Sequence, residues 1–377
     1  MKIGILGGTF SPVHNGHIEI AKIAKARLEL DKVLFILNKV PPHKDIGKID
    51  IFHKVNMVKS AIEDIPYFDI DTFETDSDDI SYSYITLSYL SEKYKGDELY
   101  FILGADNIKQ ISNWMKPELI FKYANIVFIM CAAKFVSSVC EGMKPYITDD
   151  MHFVIGSKGI EQGSCRFIHE VFLNCINTEN LAVISGPSFA IDIARLEPIG
   201  LSVGCNNIET INLLKEIYKD TTIKLRETDD IVGIELCGAI KNVIAIASGI
   251  LDGLGYSEST RSFLITESLH DIKELINSLG GNKNTILSFA GVGDLLLTAT
   301  SIKSRNYSYG ILLGKKEFDS AKKYLEETTV EGYYTLKSIY NLLQQRSVEM
   351  PVIDLIYNII MNDEDPLLLR EFLLNKK

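Results

Sequence analysis

Two groups of residues carry side chains and spacings suited to phosphate and proton chemistry. Near the start, Gly7-Gly8-Thr9-Phe10 follows a strand-like run, and Ser11-Pro12-Val13-His14-Asn15-Gly16-His17 leads into a helical pattern over 18–27. A glycine turn between a strand and a helix aims free backbone N–H groups and the positive end of the helix dipole at one point, which makes an anion site. His14 and His17, three residues apart at that helix mouth, share a side and can face one ligand. Read singly, the glycines are a turn and the histidines packing; only the combination is specific. Further on, Lys241 stands in Ala239-Ile240-Lys241-Asn242-Val243-Ile244-Ala245-Ile246, an apolar helical run. Burial there disfavours the ammonium and brings its pKa toward neutrality, as a proton-transfer group requires. The bland alternative is a lysine that snorkels to water. Ser304-Arg305-Asn306 offers a planar guanidinium fork beside neutral donors, matched to a phosphomonoester. In isolation it is an ordinary surface tripeptide, just as Asp294 after Gly291-Val292-Gly293 is often a helix cap.

The elements that must position these groups follow from apolar periodicity. Short β-branched runs at 2–6, 33–37, 68–73, 99–103 and 125–129 alternate with helix-sized intervals, and so do 153–155, 181–184, 199–203 and 223–225. That rhythm predicts a parallel α/β sheet. From about 229 the strands stop and the spacing becomes helical, broken by glycines at 253–255, 280–281 and 291–293. The fold class expected is α/β, a parallel Rossmann-like sheet (one hybrid sheet or two) followed by an all-α C-terminal domain. No internal repeat is evident, and the acidic stretch 76–79 reads as a solvated loop rather than a metal site.

Composition bounds the function. With 377 residues, 46% hydrophobic and 24% charged, the chain exceeds what one core usually supports. A formal charge of −11 disfavours a general nucleic-acid surface, so an anionic ligand has to be gathered locally. The six cysteines form no CxxC pair and no metal-ligand spacing, which predicts reduced, mostly buried thiols and a cytoplasmic location. The first residues run straight into strand-like KIGIL and no apolar run is expected to reach membrane-spanning length, so neither a signal peptide nor a membrane span is expected.

GGTFSPVHNGH resembles the signature of the nicotinate-mononucleotide adenylyltransferases within the HxGH nucleotidyltransferases. Pro41-Pro42-His43-Lys44, Met57, Ser81-Tyr82, Thr86-Leu87, Gly104-Ala105-Asp106-Asn107 and Trp114 follow in that family's order. The resemblance covers about 1–129 and implies transfer of an adenylyl group from ATP, with Mg2+, to nicotinate mononucleotide, giving deamido-NAD and pyrophosphate. It implies that His14 and His17 hold the phosphates and the developing charge, with Gly8, Thr9, Phe10, Lys44, Gly104 and Asp106 around the nucleotide. Lys54 and Ser77 stand where that family usually has arginine, and its terminal ISSTxIR-like helix start is absent.

Beyond it, Ser157-Lys158-Gly159-Ile160-Glu161, Ser185-Gly186-Pro187-Ser188-Phe189-Ala190, Gly238-Ala239-Ile240-Lys241-Asn242-Val243, Gly291-Val292-Gly293-Asp294-Leu295, Ser304-Arg305-Asn306 and Val330-Glu331-Gly332 appear in order. Together they resemble the bacterial-type glycerol-3-phosphate dehydrogenases, over about 125–351. The resemblance implies interconversion of dihydroxyacetone phosphate and glycerol 3-phosphate with NAD or NADP. It casts Lys241 as the acid/base and Lys158, Gly186, Ser188, Asp294, Ser304, Arg305 and Asn306 as substrate contacts. Ala190, Arg305 and Glu331 would lie toward the dinucleotide. Where relatives read DNAKAALITRG, this chain has ESTRSFLITES, and Glu267 reverses a charge.

The domains expected are a nucleotidyltransferase-like α/β domain at 1–129, a remnant of a dinucleotide-binding α/β domain at 130–228, and a helical substrate domain at 229–377. No GxGxxG occurs anywhere, so the dinucleotide domain's first βαβ unit is replaced by the front segment. One expectation is that the strand at 123–129 pairs with both sheets and that GGTF takes the place of the lost diphosphate loop. The leading function is then the dehydrogenase, the second the adenylyltransferase, and the third a catalytically impaired fusion product. The partners expected are small molecules, and a homodimer is compatible with this reading.

Overall fold

The computed structural model describes residues 1–40, 50–77, 80–103, 114–116, 120, 126–219 and 221–375. The front lobe is built on β1 (Lys2–Gly8), β2 (Lys32–Leu37), β3 (Phe68–Asp71) and β4 (Glu98–Ile102), all parallel, in the order β3-β2-β1-β4. Ile5 lies opposite Leu34 on one side and Phe101 on the other. Helices α1 (Asn15–Leu28), α2 (Ile51–Ile62) and α3 (Ser83–Lys93) join them. The central strands are covered on both faces, which is why β2 reads Val-Leu-Phe-Ile-Leu without alternation. Asp50 starts α2 by accepting the Phe52 N–H at 2.8 Å.

A second sheet contains β5 (Ile126–Ile129), β6 (His152–Ile155), β7 (Leu181–Ser185), β8 (Ile199–Cys205) and β9 (Ile223–Thr228), in chain order. It carries α4 (Val136–Met143), α5 (Ile168–Cys175), α6 (Ala190–Ala194) and α7 (Ile208–Ile217). Its pairs are parallel except β7 with β8. Between β7 and β8 the chain forms only the five-residue α6, whereas the full helix α7 returns β9 parallel to β8.

The expectation of a strand serving both sheets is corrected. Among the described residues β5 pairs with β6, and the lobes form two sheets with no pairing between them. What joins them is a helix: α1 packs on α6, and its Ala26 enters the apolar cluster of Val154, Ile184, Ile193 and Val203 on the second sheet. Lys2 Nζ also donates to the Ile217 carbonyl at 3.2 Å.

The remaining chain is helical: α8 (Ile231–Gly253), α9 (Glu258–Ser278), a π-turn at Phe289–Gly293, α10 (Asp294–Thr300), α11 (Arg305–Gly314), α12 (Phe318–Glu327), α13 (Glu331–Arg346), α14 (Pro351–Met361) and α15 (Leu368–Asn375). Helix α8 runs through the middle of this lobe. The expectation that no apolar run reaches membrane-spanning length is corrected, because α8 is long and apolar enough by length and composition. It is apolar all round because other helices surround it; 89% of its most apolar stretch is buried. Each of Ile240, Ile244, Ile246 and Ile250 is wholly buried and contributes about 1.5–3 kcal/mol, which offsets the cost of burying polar groups on the same helix. All six cysteines are free, and Cys140, Cys165, Cys205 and Cys237 are buried.

Candidate active site

Asp230 caps α8 by accepting the Gly233 N–H at 2.9 Å, and its other oxygen takes the Asn282 N–H at 2.9 Å and the Thr285 hydroxyl at 2.5 Å. The helix is thereby fixed against the segment leading to the π-turn. Lys241, about three turns on from Asp230, is 7% exposed and cannot snorkel. Its Nζ donates to Asp294 Oδ1 at 2.5 Å and to Thr298 Oγ1 at 3.0 Å. Lys158, after β6, reaches Asp294 Oδ2 at 2.7 Å, and Ser185 at the end of β7 approaches the same oxygen at 3.5 Å. Asp294 thus joins a lysine from the sheet lobe to one from the helical lobe.

The π-turn sets Asp294 in place. Gly291 has φ −83° and ψ −108° inside it, and a Cβ there would stand 2.2 Å from the Ile286 carbonyl oxygen, so a side chain cannot be accepted without moving backbone. Asp294 then opens α10, and Thr298, one turn on, receives Lys241 while donating to the Asp294 carbonyl at 2.6 Å. Burial lowers the Lys241 pKa, the nearby Lys158 ammonium lowers it further, and Asp294 only partly restores it, leaving it at about 8. For Asp294 burial alone would favour the neutral acid. The facing ammoniums of Lys158 and Lys241 overcome this and hold the carboxyl below its ordinary range.

A second polar network lies beside the first. Asn306 Nδ2 donates to Asn242 Oδ1 at 3.0 Å, Asn306 Oδ1 accepts the Gly332 N–H at 2.8 Å, and Asn242 Nδ2 donates to Glu331 Oε2 at 3.3 Å. It exists because α8 and α11 touch backbone to backbone. A Cβ on Gly249 would lie 2.1 Å from the Tyr307 carbonyl oxygen, and one on Gly310 would lie 2.1 Å from that of Ile246. The network separates the Ser304-Arg305-Asn306 triplet. Ser304 is buried and caps α11 by accepting the Tyr307 N–H at 3.3 Å, and Asn306 is buried in the network. Arg305 alone stands exposed at the start of α11. Ser188 donates to the Gly186 carbonyl at 3.1 Å, and Gly186 is pressed against the Gly200 carbonyl, where a Cβ would be 2.6 Å away. Ala190 opens α6.

Between the lobes is an open cleft. Lys134, Lys158 and Gln162 line it from the sheet side, and Glu331, Tyr334 and Thr335 from α13. It lies beyond the carboxyl ends of β5 and β6, where ligands of open α/β sheets bind.

The front site is separate. His14 precedes α1, its N–H donates to His17 Nδ1 at 3.3 Å, and the two rings stack with centroids 3.7 Å apart. Phe10, buried at φ +40°, meets His17 edge to face at 5.0 Å and lies beneath Gly8. Burial and then His14 lower the His17 pKa. Thr9 is half-buried, while Lys44, Gly104 and Asp106 lie outside the described residues. Among the described residues no hydrogen bond, ion pair or ring contact joins the histidine pair to Lys241, Lys158 or Asp294.

Sequence reasoning missed Thr298, Ser185 and Asn242. The first is readable as Asp-x-x-x-Thr helical spacing and the last as the neighbour of Lys241, but Ser185 depends on tertiary approach.

Three family descriptions match. The C-terminus of NAD-dependent glycerol-3-phosphate dehydrogenase matches 230–370 and its N-terminus 105–211, while a cytidylyltransferase-like description matches 5–155. The meeting point at 123–129 falls where the last two overlap. A glycerol-3-phosphate dehydrogenase [NAD(P)+] of Staphylococcus epidermidis is 33% identical over 247 residues, covering 64% of this chain and 74% of its own. One of Coxiella burnetii is 32% identical over 269 residues, covering 69% and 81%. The solved structure of glycerol-3-phosphate dehydrogenase from Coxiella burnetii superposes with a TM-score of 0.67 at 26% identity, over 100% of this chain and 99% of that one. With its front segment carrying the cytidylyltransferase-like match, this chain belongs to the NAD(P)-dependent glycerol-3-phosphate dehydrogenase family.

Proposed function

We propose that the chain interconverts dihydroxyacetone phosphate and glycerol 3-phosphate with NAD or NADP, and that Lys241 is its acid/base. The observation that carries this is the buried Lys241–Asp294 pair, joined by the part-exposed Lys158, at a cleft between a sheet lobe and a helical lobe. A cleft beyond the carboxyl ends of β5 and β6 fits the nicotinamide end of such a cofactor. When bound, the cofactor supplies or accepts the hydride at C2 of the substrate. In reduction the C2 carbonyl π bond breaks, a C–H bond forms at C2, and Lys241 Nζ gives the oxygen its proton. In oxidation the neutral amine takes that proton back. Asp294 holds the amine in place through one oxygen and Lys158 through the other, while exposed Arg305 is assigned the substrate phosphate. The test is NADH oxidation with dihydroxyacetone phosphate. Turnover that falls roughly 10²-fold or more in Lys241→Met supports the assignment, and unchanged turnover refutes it.

A second reading concerns the front lobe alone, and the stacked His14–His17 pair at the mouth of α1 favours it. There the pair would hold ATP phosphates, with Mg2+, for transfer to nicotinate mononucleotide. Pyrophosphate release from those two substrates tests this. Silence in both assays would favour the impaired fusion product. The assembly proposed is a cytoplasmic homodimer, to be read by light scattering.

A further inference from the structure

The cations of the cleft are not equally occupied. Lys158 is held by Asp294 at 2.7 Å; outside the cleft lining, Lys303, two residues before Arg305, is held by Asp192 at 3.2 Å. Lys134 is exposed and has no carboxylate partner among the described residues. Its Nζ rests instead over two rings, 4.9 Å from the centroid of Phe135 and 5.5 Å from that of Tyr334. Phe135 is its neighbour in the turn after β5, but Tyr334 belongs to α13, so the contact crosses the cleft from one lobe to the other. An exposed cation over a ring is held weakly and is easily drawn to a stronger partner. The carboxylate on the cleft wall, Glu331, is engaged by Asn242 at 3.3 Å. In a chain of net charge −11, an exposed, unneutralised ammonium beyond the end of a parallel strand is placed to receive an anion.

We propose that Lys134 leaves its rings to bind a phosphate group of a ligand in this cleft, and so supplies part of the phosphate recognition that a chain without GxGxxG must find elsewhere. This rests on the dehydrogenase reading above. Either the cofactor diphosphate or the phosphomonoester of the substrate presents the required oxygens, and the two are separated by experiment. In Lys134→Gln the KM for one of them is expected to rise about tenfold, the loss of one charge-assisted hydrogen bond, with kcat within about twofold and Lys134→Arg close to wild type. A rise for NADH assigns the cofactor, and a rise for dihydroxyacetone phosphate assigns the substrate. If neither KM moves in a variant that melts like wild type, the proposal is overturned. Should the wild type itself not turn over, the dehydrogenase reading fails separately. Lys134 is then read by fluorescence titration with NADH and calorimetric titration with glycerol 3-phosphate. A roughly tenfold weaker Kd for either in the variant supports its role, and equal binding or none overturns it.

Discussion

Replacing Asp294 by Asn keeps the shape and one acceptor oxygen while removing the charge that faces two ammoniums. Lys241 Nζ lies 2.5 Å from one carboxylate oxygen and Lys158 Nζ 2.7 Å from the other. Unit charges about 4 Å apart in an effective dielectric of about 20 interact by roughly 4 kcal/mol, which puts the support Asp294 gives the Lys241 ammonium on the order of three pH units. The amide dipole recovers part of this, and opposed charges of this kind shift a pKa by about one to three units, so a fall of roughly one to two units is expected. The proton donor for carbonyl reduction is the ammonium. The high-pH limb of kcat for NADH oxidation with dihydroxyacetone phosphate should therefore move from near 8 to roughly 6–7 in Asp294→Asn. Urea unfolding should show a loss of roughly 3 kcal/mol, because a buried ion-pair network has been broken on one side. A limb that stays in place in a folded variant would falsify the claim that Asp294 sets the protonation of Lys241.

In the wild type the two directions should respond oppositely to pH: reduction falls as pH rises through about 8, where Lys241 loses its proton, and oxidation of glycerol 3-phosphate rises over the same range; parallel profiles would contradict this assignment. Gly291→Ala places a methyl 2.2 Å from the Ile286 carbonyl oxygen, so it should lower both the melting midpoint and turnover, measured by calorimetry and NADH oxidation. Gly310→Val would set its Cβ 2.1 Å from the Ile246 carbonyl oxygen, driving α8 and α11 apart, and should cost about 3 kcal/mol or more in urea, as overpacking against backbone does. Ala26→Glu puts a charge into the cluster that fastens α1 to the second sheet; cooperative unfolding of both lobes at lower denaturant is expected, and an unchanged rear lobe would show that α1 is not part of its core.

What could be read from sequence followed local periodicity and motif order. The parallel runs, the helical last third and the pairing of Lys241 with a buried site depend on side-chain patterns within one element. The antiparallel β7–β8 pair was not legible, because its signal is the brevity of a connection rather than any residue in the strands. Nor was the inward turn of Ser304 and Asn306. A Ser-Arg-Asn triplet looks open until α11 is pressed on α8 by Gly249 and Gly310, which are distant in sequence. Helix α8 was underestimated as an apolar run because Glu235 and Lys241 interrupt it, although both are buried and find partners, His169 and Asp294. The shared strand failed for a related reason: motif order locates a junction along the chain, while α1, carrying Ala26 against Val154 and Ile184, decides how the lobes meet.

Everything in the catalytic reading requires a nicotinamide to sit against Lys241 although the usual glycine-rich diphosphate loop is missing. Titration of the purified chain with NADH, followed by its fluorescence and competed with NAD, addresses this without depending on turnover. Saturable, competable binding is what the reading requires, and the absence of saturation at millimolar cofactor would contradict it.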